Sequence, residues 1–286
     1  MAKVEEAERI DQETAAPVKT VTFKVLRYDP DRDRRPRYQS YEVPVPKGMT
    51  VLDGLIYIKN NLDGSLAYRA SCRMGICGSC GMFINRKPRL SCQVQVLELD
   101  SDVIEVKPLP NYPNIKDLVP DLEPMFDKHQ QIKPFLIRQD KKEQEDPSGE
   151  YLQSPEELED YLQLSYCIKC GLCLSACPTV ATDPLFLGPQ ALPQAYRYSV
   201  DSRDEGFAER LAVIDSAQSC WRCHFAGACT ESCPKGVDPA LAIQLLKRKI
   251  IAYNLGFGRK RKRKGAPLLP FHPRPGIPKP PPRTVK

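Results

Sequence analysis

The stretch Cys167-Ile-Lys-Cys170-Gly-Leu-Cys173-Leu-Ser-Ala-Cys177-Pro178 decides how this chain is read. Its thiols stand at spacings of two, two and three residues and are closed by a proline, the run that wraps a cubane iron–sulfur cluster. Where two such clusters share one fold, the fourth cysteine of a run ligates the other cluster. Cys177 therefore points to a second centre.

The partner block lies downstream, in Cys220-Trp-Arg-Cys223-His-Phe-Ala-Gly-Ala-Cys229-Thr-Glu-Ser-Cys233-Pro234. On the same template Cys223 takes the first position, Cys229 the third and Cys233 the fourth, while the second is Ala226. Exchanging the fourth cysteines gives one set of Cys167, Cys170, Cys173 and Cys233, and another of Cys177, Cys223 and Cys229. Four thiolates hold every iron of a [4Fe–4S] cubane; three leave one corner without a protein ligand, so [4Fe–4S] beside [3Fe–4S] is expected. Cys220 is left over. It is either an inert buried thiol, the commoner fate of a lone cysteine, or a fourth ligand that completes a second cubane. Zinc also takes Cys-x-x-Cys pairs, but in closed groups of four and often with histidine; the crowded, nearly repeated spacing favours iron–sulfur.

A second type of cysteine loop lies earlier. Cys72-x4-Cys77-x2-Cys80 with the distant Cys92 has the spacing of a plant-type [2Fe–2S] site. Gly75, Gly78 and Gly81 suit a loop that turns tightly and aims amides at sulfur. A structural zinc knuckle is the bland alternative.

Around these loops the pattern changes along the chain. Residues 1–19 are polar and aperiodic, as in a flexible arm. From Thr20 an alternating strand, a turn at Asp29-Pro-Asp-Arg-Asp33 and a second strand from Tyr38 to Val45 form a hairpin. Thr50 caps a helix, Met82 to Asn85 is a short strand, and Val103 to Val106 a closing one. Pro108 to Pro120 resembles a crossing segment. Helical periodicity then predicts helices over Asp121–Gln130, Ser154–Leu164, Pro189–Tyr198, Arg203–Ala217 and Pro239–Asn254. The fold class expected is α+β: an N-terminal β-grasp plant-type [2Fe–2S] ferredoxin domain over 20–120, then an all-α helical ferredoxin domain over 121–256. A basic, proline-rich tail over 257–286 cannot build a core and is expected to be extended or disordered.

The 286 residues suffice for two domains, each with its own core. No window approaches 18 uninterrupted apolar residues, which excludes a membrane-spanning helix. The amino terminus lacks a secretory or twin-arginine signal and is too acidic for a mitochondrial transit peptide, so the expected compartment is the reducing, cytoplasmic side of a bacterial or archaeal cell. There the twelve cysteines serve as ligands rather than disulfides. The formal charge is +6, yet ten Lys or Arg and no Asp or Glu fall between Phe257 and Lys286, so the body is mildly acidic. The tail is a solvated segment, an anchor on anionic lipid or an arm over an acidic partner. Nucleic-acid binding is not expected, because a bare basic run lacks stacking aromatics.

The constellation resembles the iron–sulfur subunit of succinate dehydrogenase and fumarate reductase, the complex II family, over about residues 20 to 256. The residues that carry the likeness are Ser71-Cys-Arg-Met-Gly-Ile-Cys-Gly-Ser-Cys-Gly-Met82, Cys167 to Pro178, Gly188-Pro189, Tyr196-Arg197, Asp201-Ser-Arg-Asp204 and Cys229 to Gly236. The resemblance implies a chain with no bond chemistry of its own. A flavoprotein partner with FAD takes a hydride from succinate, and electrons pass singly through the three clusters to quinone at membrane-anchor subunits, with an optional haem. The complex would sit on the cytoplasmic face of the inner membrane. Residues matching the family's quinone-side positions are Pro178, His224 and Lys247, with Arg222 nearby; a lysine or histidine there can polarise a quinone oxygen or supply protons. The bland roles are a loop-shaping proline, a histidine bonded to a backbone carbonyl and a solvated helix lysine. Thr182 stands where many ubiquinone-reducing relatives carry tryptophan, and the lone Trp221 lies in the other block, which tilts the expectation toward menaquinone. Two other readings compete. A soluble electron-transfer subunit of another flavin dehydrogenase would resemble proteins rich in Cys-Cys-Gly modules, and this chain has no adjacent cysteine pair. A zinc-stabilised nucleic-acid binder rests on the basic tail alone.

Overall fold

A computed structural model describes residues 17–146 and 148–257. The expected basic tail from 258 onward and most of the expected arm over 1–19 lie outside the described residues.

Strand β1 (Lys19–Arg27) alternates as its sequence demands, with Val21, Phe23 and Val25 buried on one face. It pairs antiparallel with β2 (Arg37–Val45) across the predicted turn. Helix α1 (Val51–Asn61) begins with a capping box: Thr50 accepts from the amide of Asp53, whose carboxylate accepts in return from the amide of Thr50. Its Val51, Leu55 and Ile58 pack on the sheet with Phe23, Val43 and Ile104. Strands β3 (Gly81–Ile84), β4 (Lys87–Leu90) and β5 (Val103–Lys107) complete a mixed sheet of order β2-β1-β5-β3-β4, in which β1 and β5 run parallel. Sequence periodicity misses β4, because Lys87-Pro-Arg-Leu90 does not alternate. Pro88 is tolerated there since β4 is an edge strand.

The segment expected only to cross between domains is built into both. It forms a small hairpin of β6 (Asn114–Lys116) and β7 (Val119–Pro120). Asp117, buried between them, accepts from Arg27 Nε at 3.0 Å, from the amide of Tyr28 at 2.9 Å and from that of Ala67 at 2.8 Å. Just upstream, Asn111 donates to the carbonyls of Leu174 and Ser175, and the Tyr112 hydroxyl to that of Gly171. Buried polar groups need such partners, and here the partners rivet the two halves together.

The rest is helical: α2 (Glu123–Gln131), α3 (Lys141–Glu145), α4 (Pro155–Glu159), α5 (Leu162–Ser165), α6 (Leu172–Ala176), α7 (Pro178–Thr182), α8 (Gly188–Val200), α9 (Phe207–Ile214), α10 (Ala228–Glu231) and α11 (Pro239–Asn254). Helix α8 is central; its Ala191, Leu192 and Ala195 pack with Ile214 of α9 and with Ile243, Leu246 and Ile250 of α11. Two expected helices are corrected. The one predicted over Ser154–Leu164 keeps its serine capping box but breaks into α4 and α5. The break sits at Tyr161, whose buried ring is tied to Gln153 and Arg203 by its hydroxyl. The one predicted over Arg203–Ala217 shrinks to α9, because Arg203 pairs with Asp201 and Asp204 with Arg210, while Asp215 accepts from Trp221 Nε1 and Asn254 Nδ2. Among the described residues no helix is long and apolar enough to cross a membrane.

Candidate metal centres

The first cysteine loop sits at the end of the sheet. Amides of Met74, Ile76 and Cys77 donate to the Cys72 sulfur at 3.5, 3.3 and 3.2 Å, and the amide of Cys72 donates to Cys77 Sγ at 3.5 Å. Gly75 and Gly78 take positive φ, +70° and +74°, which makes this convergence possible. Gly81 has no such backbone and instead opens β3. Cys80 and Cys92 are buried side by side at the boundary with the helical half, in a cluster with Leu52, Leu90, Leu109 and Leu172. All four predicted cysteines thus meet.

Gly78 has a second task. A Cβ on it would stand 2.8 Å from the Cβ of Cys170, so the absent side chain lets the first loop touch the second. Gly78→Ala should therefore destabilise the chain by about 1–3 kcal/mol, the usual cost of overpacking. Urea denaturation of the cluster-loaded protein measures this, and an alanine variant as stable as the parent would refute the close approach.

In the helical half the two cysteine blocks meet where α6 packs on α10. Cys167, Cys170, Cys173 and Cys233 line one cavity; Cys177, Cys223 and Cys229 line another. These linings group the cysteines as the expected exchange of fourth cysteines would place them. The blocks also share a backbone. Lys169 and Gly171 take positive φ of +53° and +82°, and Phe225 and Gly227, at the same offsets from their first cysteines, take +59° and +78°. Ala226 lies on the lining of the smaller cavity, in the place that Cys170 holds in the larger. Cys220 lines neither, and is fully buried among Ile243, Leu246 and Ile214.

These sites suit iron–sulfur clusters. Among the described residues no three His, Cys, Asp or Glu side chains converge tightly enough for a single ion; the thiols surround cavities instead, as a multi-atom group requires. Burial pushes the thiols of Cys170 and Cys229 up to about 12 and about 11, and Cys173 well above the ordinary range. Such thiols become thiolates only against a compensating cationic core. Cys77 is the opposite case, lowered to about 6 by hydrogen bonds from Ser79 and the Cys72 amide.

Of the residues matched to quinone-side positions, Pro178 starts α7 and, with His224, lines the three-thiol cavity. His224 is exposed. Lys247 does not face that cavity; its Nζ donates to the carbonyl of Cys223 at 3.0 Å, which fixes the cysteine loop to α11. Arg222 pairs with Asp183 at 2.9 Å on the rim. Thr182 turns back on its own helix, donating to the carbonyls of Pro178 and Thr179.

Sequence reasoning missed His129 and Gln190, which meet behind the four-thiol cavity with Gln190 Nε2 3.3 Å from His129 Nδ1. Neither belongs to a motif, and only the packing of α2 on α8 joins them. Burial first, then Lys169 and Arg197, lowers His129 to about 4. An unfolded histidine titrates near 6.5, so between these values the unfolded chain binds more protons and stability falls as pH falls. The loss by about pH 4 amounts to about 3 kcal/mol. Urea midpoints taken across that range should decline less steeply for His129→Leu; parallel slopes would contradict a neutral buried imidazole.

Comparison with known proteins adds family relationships. Residues 22–127 match the family described as a 2Fe-2S iron-sulfur cluster binding domain, and residues 163–237 the family described as a 4Fe-4S dicluster domain. The chain is 48% identical over 227 residues to the fumarate reductase iron-sulfur subunit of Mycobacterium tuberculosis, covering 79% of this chain and 91% of that protein. It is 44% identical over 231 residues to the fumarate reductase iron-sulfur subunit of Haemophilus influenzae, covering 78% and 90%. The succinate dehydrogenase iron-sulfur subunit of Paracoccus denitrificans is 42% identical over 231 residues, covering 80% and 87%. Among solved structures, a chain of the Mycobacterium smegmatis Sdh1 complex in the apo form superposes with a TM-score of 0.74 at 26% identity, covering 84% of this chain and 98% of that one.

Proposed function

Because the chain belongs to the family of succinate dehydrogenase and fumarate reductase iron–sulfur subunits, we propose that it relays single electrons between a flavoprotein partner and quinone at a membrane anchor. It is the iron–sulfur component of an oxidoreductase complex, and the cofactors of that family are [2Fe–2S], [4Fe–4S] and [3Fe–4S]. When bound, the clusters supply one-electron steps that join a two-electron flavin to a quinone.

The ligands proposed are Cys72, Cys77, Cys80 and Cys92 for [2Fe–2S], Cys167, Cys170, Cys173 and Cys233 for [4Fe–4S], and Cys177, Cys223 and Cys229 for [3Fe–4S]. The observation that carries the relay is the contact sequence of the loops. The first touches the second at Gly78 and Cys170, and the four-thiol cavity adjoins the three-thiol cavity where α6, which carries Cys173, packs on α10, which carries Cys229. Each loop's work is to hold thiolates, donate amides to sulfur and exclude water.

The ends of the relay carry apolar surface. Met74 and Ile76, 70% and 54% exposed, stand beside Cys72 and Cys77 and suit the flavoprotein; Phe225 lines the three-thiol cavity, the exposed Leu185 and Trp221 lie within two residues of its lining residues Phe186 and Cys223, and these suit the anchor. His224 and Pro178 are the residues of this chain best placed to meet a quinone. The quinone proposed is menaquinone, since Thr182 stands at the position where many ubiquinone-reducing relatives carry tryptophan and the lone Trp221 lies in the other cysteine block. The complex is assigned to the cytoplasmic face of a bacterial or archaeal inner membrane.

The test is purification of the complex from native membranes followed by electron paramagnetic resonance of oxidised and dithionite-reduced samples. Succinate- or quinol-linked activity should accompany an oxidised three-iron signal and two further signals on reduction. A colourless chain, or one with fewer than three centres when the complex is intact, would defeat the proposal.

A further inference from the structure

Helix α11 ends at a corner fixed to the block that carries Cys223. One oxygen of Asp215 accepts from Trp221 Nε1 at 2.6 Å and the other from Asn254 Nδ2 at 3.1 Å, so the indole and the last residue of α11 share one support. Two turns earlier, Lys247 donates to the carbonyl of Cys223 at 3.0 Å. This corner exposes apolar side chains. Ile251 and Leu255, one turn apart on one face, and Phe257 are 49%, 68% and 72% exposed. A Schellman turn presents the last of them: Gly256, at a φ of +86°, donates to the carbonyl of Tyr253 at 3.0 Å, and the amide of Phe257 to that of Ala252 at 2.8 Å. An apolar residue after such a turn commonly packs back on its helix. Phe257 stays in solvent instead.

Directly beyond Phe257 the sequence runs Gly258-Arg259-Lys-Arg-Lys-Arg-Lys264, and no Asp or Glu follows as far as Lys286. Exposed aliphatic and aromatic side chains, an indole with its N–H satisfied and six consecutive cations thus meet at one place. The cations suit a surface of phosphates, and the apolar group suits the layer beneath it, where tryptophan also concentrates. An acidic protein face would satisfy the cations alone. The boundary between anionic headgroups and acyl chains satisfies both.

We propose that this corner is a lipid contact: Ile251, Leu255 and Phe257 enter the headgroup boundary of an anionic bilayer, and Arg259 to Lys264 bind its phosphates. The contact is made by this chain itself and adds to whatever anchor subunits hold. Because Asp215 and Lys247 tie α11 to Trp221 and Cys223, it also turns the three-thiol cavity toward the membrane. It extends the membrane-bound reading given above, and vesicle binding is measured without partners, so a failed relay and a failed contact are told apart.

The test is co-sedimentation of the full-length, cluster-loaded chain with vesicles of phosphatidylcholine, with and without phosphatidylglycerol. The parent should bind the anionic vesicles, leave the neutral ones in comparison, and bind less as salt rises. Each cation near an anionic surface tightens binding about fivefold, so replacing all six residues from Arg259 to Lys264 with glutamine should weaken it at least about 100-fold. Leu255→Ser with Phe257→Ser should weaken it about tenfold or more through lost apolar burial. Both residues are exposed, so the urea midpoint of this variant should match the parent's. Serine and parent chains that bind alike would overturn the insertion of α11. A parent that ignores anionic vesicles would overturn the lipid contact altogether and leave the basic run as an arm over an acidic partner. A complex that fails the electron paramagnetic resonance test while its chain binds vesicles in this pattern would lose the relay and keep the contact.

Discussion

Replacing Ala226 with cysteine is expected to turn the three-iron centre into a second cubane. The oxidised three-iron signal should vanish, a second reduced [4Fe–4S] signal should appear, and iron per chain should rise by one atom. The expectation comes from backbone geometry. In the first block the left-handed residues Lys169 and Gly171 flank Cys170, and in the second Phe225 and Gly227 flank Ala226 with nearly the same φ values. Helices α6 and α10 then start directly after the two glycines. A thiol at position 226 therefore has the backbone that presents Cys170 to its cavity, and Ala226 already borders the cavity of Cys177, Cys223 and Cys229.

The matching control is Cys220→Ala, which should leave all three signals unchanged. Cys220 is fully buried in the apolar core of α8 and α11, and burial pushes its thiol up to about 12. It does not have the position of a ligand, since it lines neither cavity. A parent chain without a three-iron signal, together with loss of a cubane in Cys220→Ala, would reverse this assignment and make Cys220 the fourth ligand.

Which cysteines gather at each loop and cavity was legible in the sequence because spacing is a local constraint that dictates which thiols share a loop. Helices with strong terminal chemistry were legible for the same reason. Pro239–Asn254 was predicted at its observed bounds, with Asp238 capping and proline at its first position. What sequence could not show depends on contacts between distant residues. Tyr161 breaks an otherwise continuous helical pattern because its hydroxyl is held from Gln153 and Arg203. Asp117 turns an expected crossing segment into part of the first core by accepting from Arg27. Lys247 matches a quinone-side position in sequence but spends its ammonium on the carbonyl of Cys223. The motif Asp201-Ser-Arg-Asp204 marks the family, yet its side chains serve folding rather than electron transfer.

That last point carries the largest stability effect expected outside the clusters. Asp204 and Arg210 form an ion pair at 2.7 Å with side chains 1% and 0% exposed. Asp204 also accepts from the amides of Ile137 at 2.9 Å and Gly206 at 2.8 Å, which sets the start of α9. Arg210 spends its remaining donors on the carbonyls of Ile132, Lys133 and Phe135, so one guanidinium ties α9 to the segment after α2. Breaking a buried pair from one side leaves a charge with no water to solvate it, at a cost of about 3–5 kcal/mol. Asp204→Asn keeps the shape and removes only the charge, and should lose that amount in urea denaturation of the cluster-loaded chain. Arg210→Met should lose at least as much, since it strands the carbonyls as well as the carboxylate. The double variant should cost less than the sum of the two, because no buried charge remains, but it should not return to the parent: the stranded carbonyls still lack donors, at about 1–3 kcal/mol each. The surface pair Lys19–Asp102, in which the aspartate is 90% exposed, is the contrasting case, and Asp102→Asn should change stability by less than about 1 kcal/mol. Equal small effects for Asp204→Asn and Asp102→Asn would mean that water reaches Arg210 and that the motif does not hold this half of the fold together.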